Sequence, residues 1–297
     1  IARGKLSNTT GRWNDSIAGL HVQVTLQPGQ RDEVVFLLGK HDSREATETM
    51  IHAYGIAAGV PQSLKRVERL WQPSLNRLRV ETPDPAFDLM TNVWLKYQAI
   101  GGRLWARTAY YQSSAAYGYR DQLQDSHIFL PLIPDLTKRQ ILLHARHQHI
   151  DGTVLHWWFP LTESGPRSGQ SDTPLWLVYL TLSYLAETDD LKALNETAPY
   201  LDGPARTLFD HCTRSLEIVL KRFSKRGLPL IGHGDWNDGL SAVGPLWKGE
   251  SAWLGHFLYD ILLRWAQVLD RIKVAKQVKI AGVSPATLSA QGPRYRK

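Results

Sequence analysis

From Pro85 to Asp270 the chain repeats one pattern, apolar residues three and four apart, broken by loops rich in Gly, Pro, Asp and Ser. Phe87, Met90, Val93, Trp94, Tyr97 and Ile100 keep helical spacing, and the pattern resumes at Leu104. The same spacing predicts helices over 120–130, 136–149, 174–187, 204–223 and 250–272. At roughly 20–30 residues per helix and loop, the stretch holds about six to eight helices. No strand-like run of comparable strength interrupts them. The expectation is an α-domain of paired helices.

The chain before Pro85 reads differently. Leu20, Val22, Val24 and Leu26 alternate with His21, Gln23 and Thr25, the period-two signature of a strand. Gln27-Pro28-Gly29-Gln30 is a turn signal, and Asp32–Leu38 reads as the next strand. Two strands without further partners make no stable sheet. They are therefore expected to be the end of a larger β-domain, and Ile1 in first place, not Met, reads as the start of a piece of a longer chain. Ser43 caps a predicted helix to about Tyr54, ended by Gly55, and Gln62–Leu75 reads as a basic, amphipathic linker helix. Leu78 and Val80 form a short extended piece closed by Thr82-Pro83-Asp84-Pro85. The domain reading is a β-remnant over 1–42, a helical linker over 43–82, a helical domain over 83–270, and a basic tail over 271–297. That tail loses the apolar pattern, so a frayed helix end followed by poor order is expected.

Composition narrows the function classes. With 43% hydrophobic and 21% charged residues the chain forms a packed core and not a disordered coil. No stretch approaches the ~18 apolar residues of a membrane helix, and no signal-peptide pattern is present. A single cysteine, Cys212, excludes a disulfide framework and multi-Cys metal sites, so a reducing, cytoplasmic location is expected. Its helical setting without a His partner reads as an inert core thiol. The net charge of +7 lies in the tail, where 271–297 holds seven basic and no acidic residues, so residues 1–270 balance at 28 of each. A phosphate-tracking face for nucleic acid is not expected on such a body. The eleven tryptophans are the better lead, because some can serve as flat platforms for sugar rings.

Three constellations carry chemistry. In Gly232-His233-Gly234-Asp235-Trp236-Asn237-Asp238-Gly239, two carboxylates, an indole and an amide lie between glycines. An acid beside an indole in a dry cleft keeps its proton, as a donor to a leaving oxygen must. The competing reading is a loop whose Asp and Asn side chains cap local backbone N–H groups. In Tyr117-Gly118-Tyr119-Arg120-Asp121-Gln122-Leu123-Gln124-Asp125, the acids Asp121 and Asp125 share a helical face. Asp121 could take two sugar hydroxyls, or simply complement the helix dipole. In Asp151–Pro160 the pair Trp157-Trp158 sits in a Gly/Pro-bounded loop, with one of the two rings expected to be buried. His144, His147 and His149 do not share one helical face, so no metal site is expected. No Gly-rich phosphate loop or Ser-centred elbow is present.

YGYRDQLQD (117–125), HWW (156–158), GHGDWNDGL (232–240) and GESAWLGHFLYD (249–260) occur in the order seen in the phosphorylases of glycoside hydrolase family 94. TGRWNDSIAGLHVQVTLQPGQRDEVVFLLG (10–39) also resembles the end of that family's N-terminal β-sandwich, and the likeness covers roughly residues 5–270. The resemblance implies a mainly α fold with an N-terminal β remnant. It is a partial (α/α)6 barrel preceded by the end of a β-sandwich and a helical linker. It also implies inverting phosphorolysis of a β-linked gluco-oligosaccharide to α-glucose 1-phosphate, with inorganic phosphate as co-substrate and no further cofactor. By motif position Asp238 is the general acid, Trp236 lines the donor-glucose subsite, and Asp121 holds that glucose's hydroxyls. Arg120, Asp125, Trp157 and Trp158 are expected to shape the same pocket.

Phe159 stands where many members have His after the double Trp, and Thr173 where many have a second Asp. Both differences bear on acceptor choice. The family's phosphate-binding residues come from later barrel segments that this chain lacks, so the chain alone is expected to be impaired. A homodimer is expected for the intact parent. Two alternatives stay open, an inverting hydrolase on the same architecture and a non-catalytic sugar-binding remnant.

Overall fold

The computed structural model describes residues 4–9, 17–39, 41–55, 59–105, 116–274 and 279–296. The 10–16 portion of the sandwich-like motif lies outside the described residues. The chain divides into two compact units, residues 1–71 and 72–297.

In the first unit the predicted turn is present, closed by Gln30 N–H donating to Gln27 O at 2.9 Å. The two predicted strands are not. Residues 20–26 and 32–38 join no ladder among the described residues, and Leu20 and Phe36 stand exposed. An extended segment without a neighbour to take its N–H and C=O groups is not a strand, whatever its alternation. Helix α1 (Arg44–Tyr54) starts where Ser43 Oγ accepts from Ala46 N–H at 3.1 Å and stops at Gly55. Helix α2 (Val60–Leu75) follows.

In the second unit the extended piece at Val80 is tied down by Asn92, whose side chain accepts from Val80 N–H at 2.9 Å and donates to Val80 O at 2.8 Å. Asp84 caps α3 (Pro85–Leu89), with Pro at the first turn. The run continues as a π-helical segment (Met90–Trp94), α4 (Leu95–Ala99) and a second π-helical segment (Ile100–Trp105). Its apolar stripe is largely exposed, and burial is reached at Ile100 and Leu104.

Strand β1 (Tyr117–Gly118) leads into α5 (Tyr119–Ser126), and α6 (Pro134–Ala145) follows. Strand β2 (Trp157–Trp158) pairs antiparallel with β1. Helix α7 (Thr173–Thr188) is the centre of the unit and touches α5 and α6. Leu175, Leu177, Val178, Leu180, Leu182 and Leu185 are all buried, so this helix is apolar around its circumference, as a helix enclosed by others must be. A hairpin of β3 (Thr197–Tyr200) and β4 (Gly203–Thr207) then precedes α8 (Leu208–Leu220). The helix predicted from 204 thus begins only after Thr207, whose hydroxyl caps it by accepting from Asp210 N–H. Helix α9 (Ala252–Val274) packs on α7, as α8 does.

The tail also departs from expectation. Residues 285–296 form α10 (Pro285–Arg296), which packs on α9 and buries Tyr295. Partners along α9 replace the apolar periodicity that the tail lacks. Among the described residues no helix is long and apolar enough to cross a membrane.

Candidate active site

Arg120, in the first turn of α5, is the hub. Pairing of β1 with β2 and a bond from Tyr119 N–H to His156 O (3.1 Å) hold that turn in place. The guanidinium is 9% exposed and reaches three groups. Nη1 donates to Asp235 O at 2.7 Å and to Asp172 Oδ2 at 3.3 Å, and Nη2 donates to Asp238 Oδ1. Asp172, just before α7, is wholly buried and also accepts from Trp176 Nε1 at 2.9 Å. Its other oxygen, Oδ1, is buried without a hydrogen-bond partner. Burial pushes the Asp172 carboxyl up, and Arg120 pulls it back.

Two loops are laced together beneath this cluster. Ser171 N–H donates to Gly234 O (3.0 Å), His233 N–H to Gly169 O (3.0 Å), and Ser171 Oγ to Leu230 O (2.8 Å). Gly232 makes the approach possible. It has φ +61°, and a Cβ there would lie 2.7 Å from Gly169 O.

The carboxylates of the Gly232–Gly239 segment divide their work. Asp235 is buried, with Oδ2 accepting from Ser251 Oγ (2.6 Å) and Oδ1 from Asn237 N–H (2.8 Å). Ser251 in turn caps α9 by accepting from Leu254 N–H, and Asn237 caps Gly239. These two side chains do what the structural reading of the loop requires. Asp238 does not. It accepts from Arg120 and from Gln170 Nε2 (3.0 Å), both at Oδ1.

The surroundings of Asp238 differ from expectation. Its side chain is 73% exposed and paired with a guanidinium, where a dry position against an indole was expected. Trp236 is itself 51% exposed and turns toward Trp253, 6.4 Å between centroids. That contact begins a series of rings, Trp253 on Phe257 at 5.2 Å and Phe257 on Trp176 at 4.8 Å. The series reaches the indole that bonds Asp172.

Asp121 faces the same region, since its charge acts on both Arg120 and His156. His156 is partly buried, and burial and Arg120 hold its imidazole below the usual range, against Asp238 and Asp121. Asp125 forms a bidentate pair with Arg103 at 2.9 and 3.2 Å. Trp158 is a correction: it is 1% exposed and stacked on His147 at 3.8 Å, so its ring has no face to offer a sugar. Trp157, the outward ring of the pair, stays partly accessible and meets Phe159 edge to face at 5.1 Å. Each of the three histidines has its own partner: His144 bonds Gln140 O, His147 bonds Glu163, and His149 bonds Asp202. Cys212 is buried with its thiol pushed up to about 12. Gln170, His156 and Asp172 were given no role from sequence. The HWW motif holds His156, and Asp172 stands just before Thr173, where many members have a second Asp, but no local pattern marks Gln170.

The catalytic-domain model of the glycosyl hydrolase 94 superfamily matches residues 70–282. The chain belongs to this superfamily. The glycosyl hydrolase 94 supersandwich domain matches residues 1–56, which include the two segments that join no ladder. The cyclic beta-(1,2)-glucan synthase NdvB of Rhizobium meliloti (strain 1021) is 37% identical over 280 residues, covering 88% of this chain and 10% of that protein. Solabiose phosphorylase of Paenibacillus borealis is 30% identical over 272 residues, 92% of this chain and 34% of its own length. N,N'-diacetylchitobiose phosphorylase of Vibrio furnissii is 27% identical over 280 residues, 85% and 34% respectively. The chain thus spans about a third of the phosphorylases and a tenth of the synthase.

Proposed function

We propose that the chain carries the donor-sugar and proton-donor part of an inverting glycoside phosphorylase, within what becomes an (α/α)6 barrel in the whole protein. The substrates are a β-linked glucoside and inorganic phosphate, and the products are α-glucose 1-phosphate and the shortened sugar. The convergence of Arg120 and Gln170 on one oxygen of Asp238 carries this reading. An oxygen that accepts two N–H donors is not the one that hands over a proton, so Oδ2 is the oxygen left to serve the leaving group. The phosphate oxygen forms a bond to the anomeric carbon from the face opposite the leaving group, the glycosidic bond breaks, and the departing oxygen takes the Asp238 proton. Hydrogen phosphate brings the proton that restores the acid through solvent.

The open carboxylate fits this role once sugar is bound. A ring seated over Asp238 removes its water and disfavours its charge. Asp121 takes donor hydroxyls, and Trp236 offers its exposed face to the ring. No second carboxylate is required, because phosphate needs less activation than the water of an inverting hydrolase.

Incubation with β-linked gluco-oligosaccharides, with and without phosphate, tests the proposal. Phosphate-dependent appearance of glucose 1-phosphate is expected. Release of free glucose without phosphate would establish the hydrolase instead, and sugar binding without turnover the non-catalytic remnant.

A further inference from the structure

Asp172 is a buried carboxylate that the reaction above does not use. It lies one bond from the guanidinium that holds the proposed acid, and its Oδ1 is buried without a partner. A buried ion normally spends both oxygens on donors. Oδ2 is shared between Arg120 and Trp176 Nε1, so the hydrogen bonding of Asp172 is poor while its charge is close to one cation.

Arg120 creates a difficulty for the acid. A lone guanidinium donating to Asp238 stabilises the carboxylate and works against proton donation. The charged and titratable groups facing this point are Arg120 and Asp121 from α5, His156 before β2, Asp172 at the start of α7, and Asp235 in the Asp238 loop. Asp235 is already engaged by Ser251 and Asn237 N–H, and it gives Arg120 only a carbonyl. Asp121 is partly accessible, and its field is screened by solvent. Asp172, fully buried, is the anion that acts on Arg120 with the least screening.

We infer that Asp172 is a positioning residue that neutralises Arg120, so that the guanidinium orients Asp238 as a hydrogen-bond donor without holding it ionised. The inference rests on the proposed reading of Asp238 as the acid. It makes Arg120 and Asp172 a net-neutral clamp.

The test compares Asp172→Asn, Asp172→Glu and the double variant Arg120→Gln/Asp172→Asn by carboxyl carbon-13 NMR titration. The Asp238 resonance is assigned by its loss in Asp238→Asn. In Asp172→Asn the Asp238 midpoint is expected to fall by about one pH unit, the scale of an opposite charge at contact. In Asp172→Glu it stays near the parent value. In the double variant it also returns near the parent value, because both charges are gone; this variant leaves no unpaired buried ion and serves if the single substitution fails to fold. An unmoved midpoint in Asp172→Asn, or a double variant whose midpoint rises well above the parent, overturns the inference. The basic limb of the pH–rate profile for phosphorolysis should move with the midpoint, which a purely structural loss would not do. A midpoint that falls while the limb stays in place overturns Asp238 as the acid and leaves the charge balance standing.

Discussion

Arg120 Nη1 lies 3.3 Å from Asp172 Oδ2, joining the first turn of α5 to the start of α7 across 52 residues of chain. Both side chains are out of solvent, and Arg120 is the cation paired with Asp172, so the buried carboxylate is not stable without the guanidinium. Replacing Arg120 by Met leaves Asp172 as an uncompensated buried charge. The expected loss is about 3 kcal/mol or more of folding stability, read from urea denaturation. A loss below about 1 kcal/mol would mean that Asp172 is neutral in the folded chain.

Asp238→Asn separates chemistry from stability. The side chain is exposed and caps no helix by a side-chain bond, so the unfolding midpoint should change little. Phosphorolysis in the whole protein should fall at least ~10²-fold, the usual contribution of general-acid help. Glucose 1-phosphate release measures the second effect and thermal melting the first.

The tryptophans give an opposed pair of outcomes. Trp158→Ala empties a core position and should cost about 3–5 kcal/mol. Trp236→Ala removes an exposed ring and should change stability by less than about 0.5 kcal/mol, while weakening retention on immobilised β-glucan. Equal effects of the two on stability would contradict the assignment of core and platform.

His144 sets an acid limit. Burial holds its imidazole down to about 3, against 6.5 for an unburied ring. Between those values the unfolded chain binds the proton that the folded chain refuses. The contribution is therefore complete above pH 6.5 and is lost as pH falls toward 3, at up to about 1.4 kcal/mol per unit. His144→Gln should flatten this part of the stability–pH curve, measured by denaturant titrations at several pH values.

Cys212 has its thiol raised to about 12 by burial, and no face reaches solvent. A thiol reagent at neutral pH should modify it only in denaturant. Fast labelling of the native chain would place it at the surface.

The helices are legible in the amino-acid sequence because what makes them is local. Ser43 and Asp84 cap by reaching two or three residues ahead, and the apolar spacing of 174–187 repeats within a few turns. The same locality explains the errors. Alternation in Leu20–Leu26 describes a strand's faces but supplies no partner strand, and the poor order expected in the tail 271–297 takes no account of the surface of α9 on which α10 lies. Residues 204–207, in the second strand of the hairpin, read as the start of a helix, because helical spacing alone does not mark Thr207 as the cap at which α8 begins.

The motifs around Asp121, Asp238 and the double Trp were visible in the chain, and so was the family they resemble. Their assignment to roles was not. Asp235 and Asp238 are three apart and chemically identical, yet one is buried as a brace for α9 and the other stands open on a guanidinium. Trp157 and Trp158 are neighbours, and the pleat of β2 sends one ring outward and the other into the core. Arg120 finds its partners 52, 115 and 118 residues away, and Gln170 meets Asp238 across 68. Short-range periodicity and capping act within a turn or two of chain and can be read from neighbouring letters. Which acid is desolvated and which cation it meets follow from packing distant segments together, so those choices appear only once α5, α7 and the Gly232–Gly239 loop share one space.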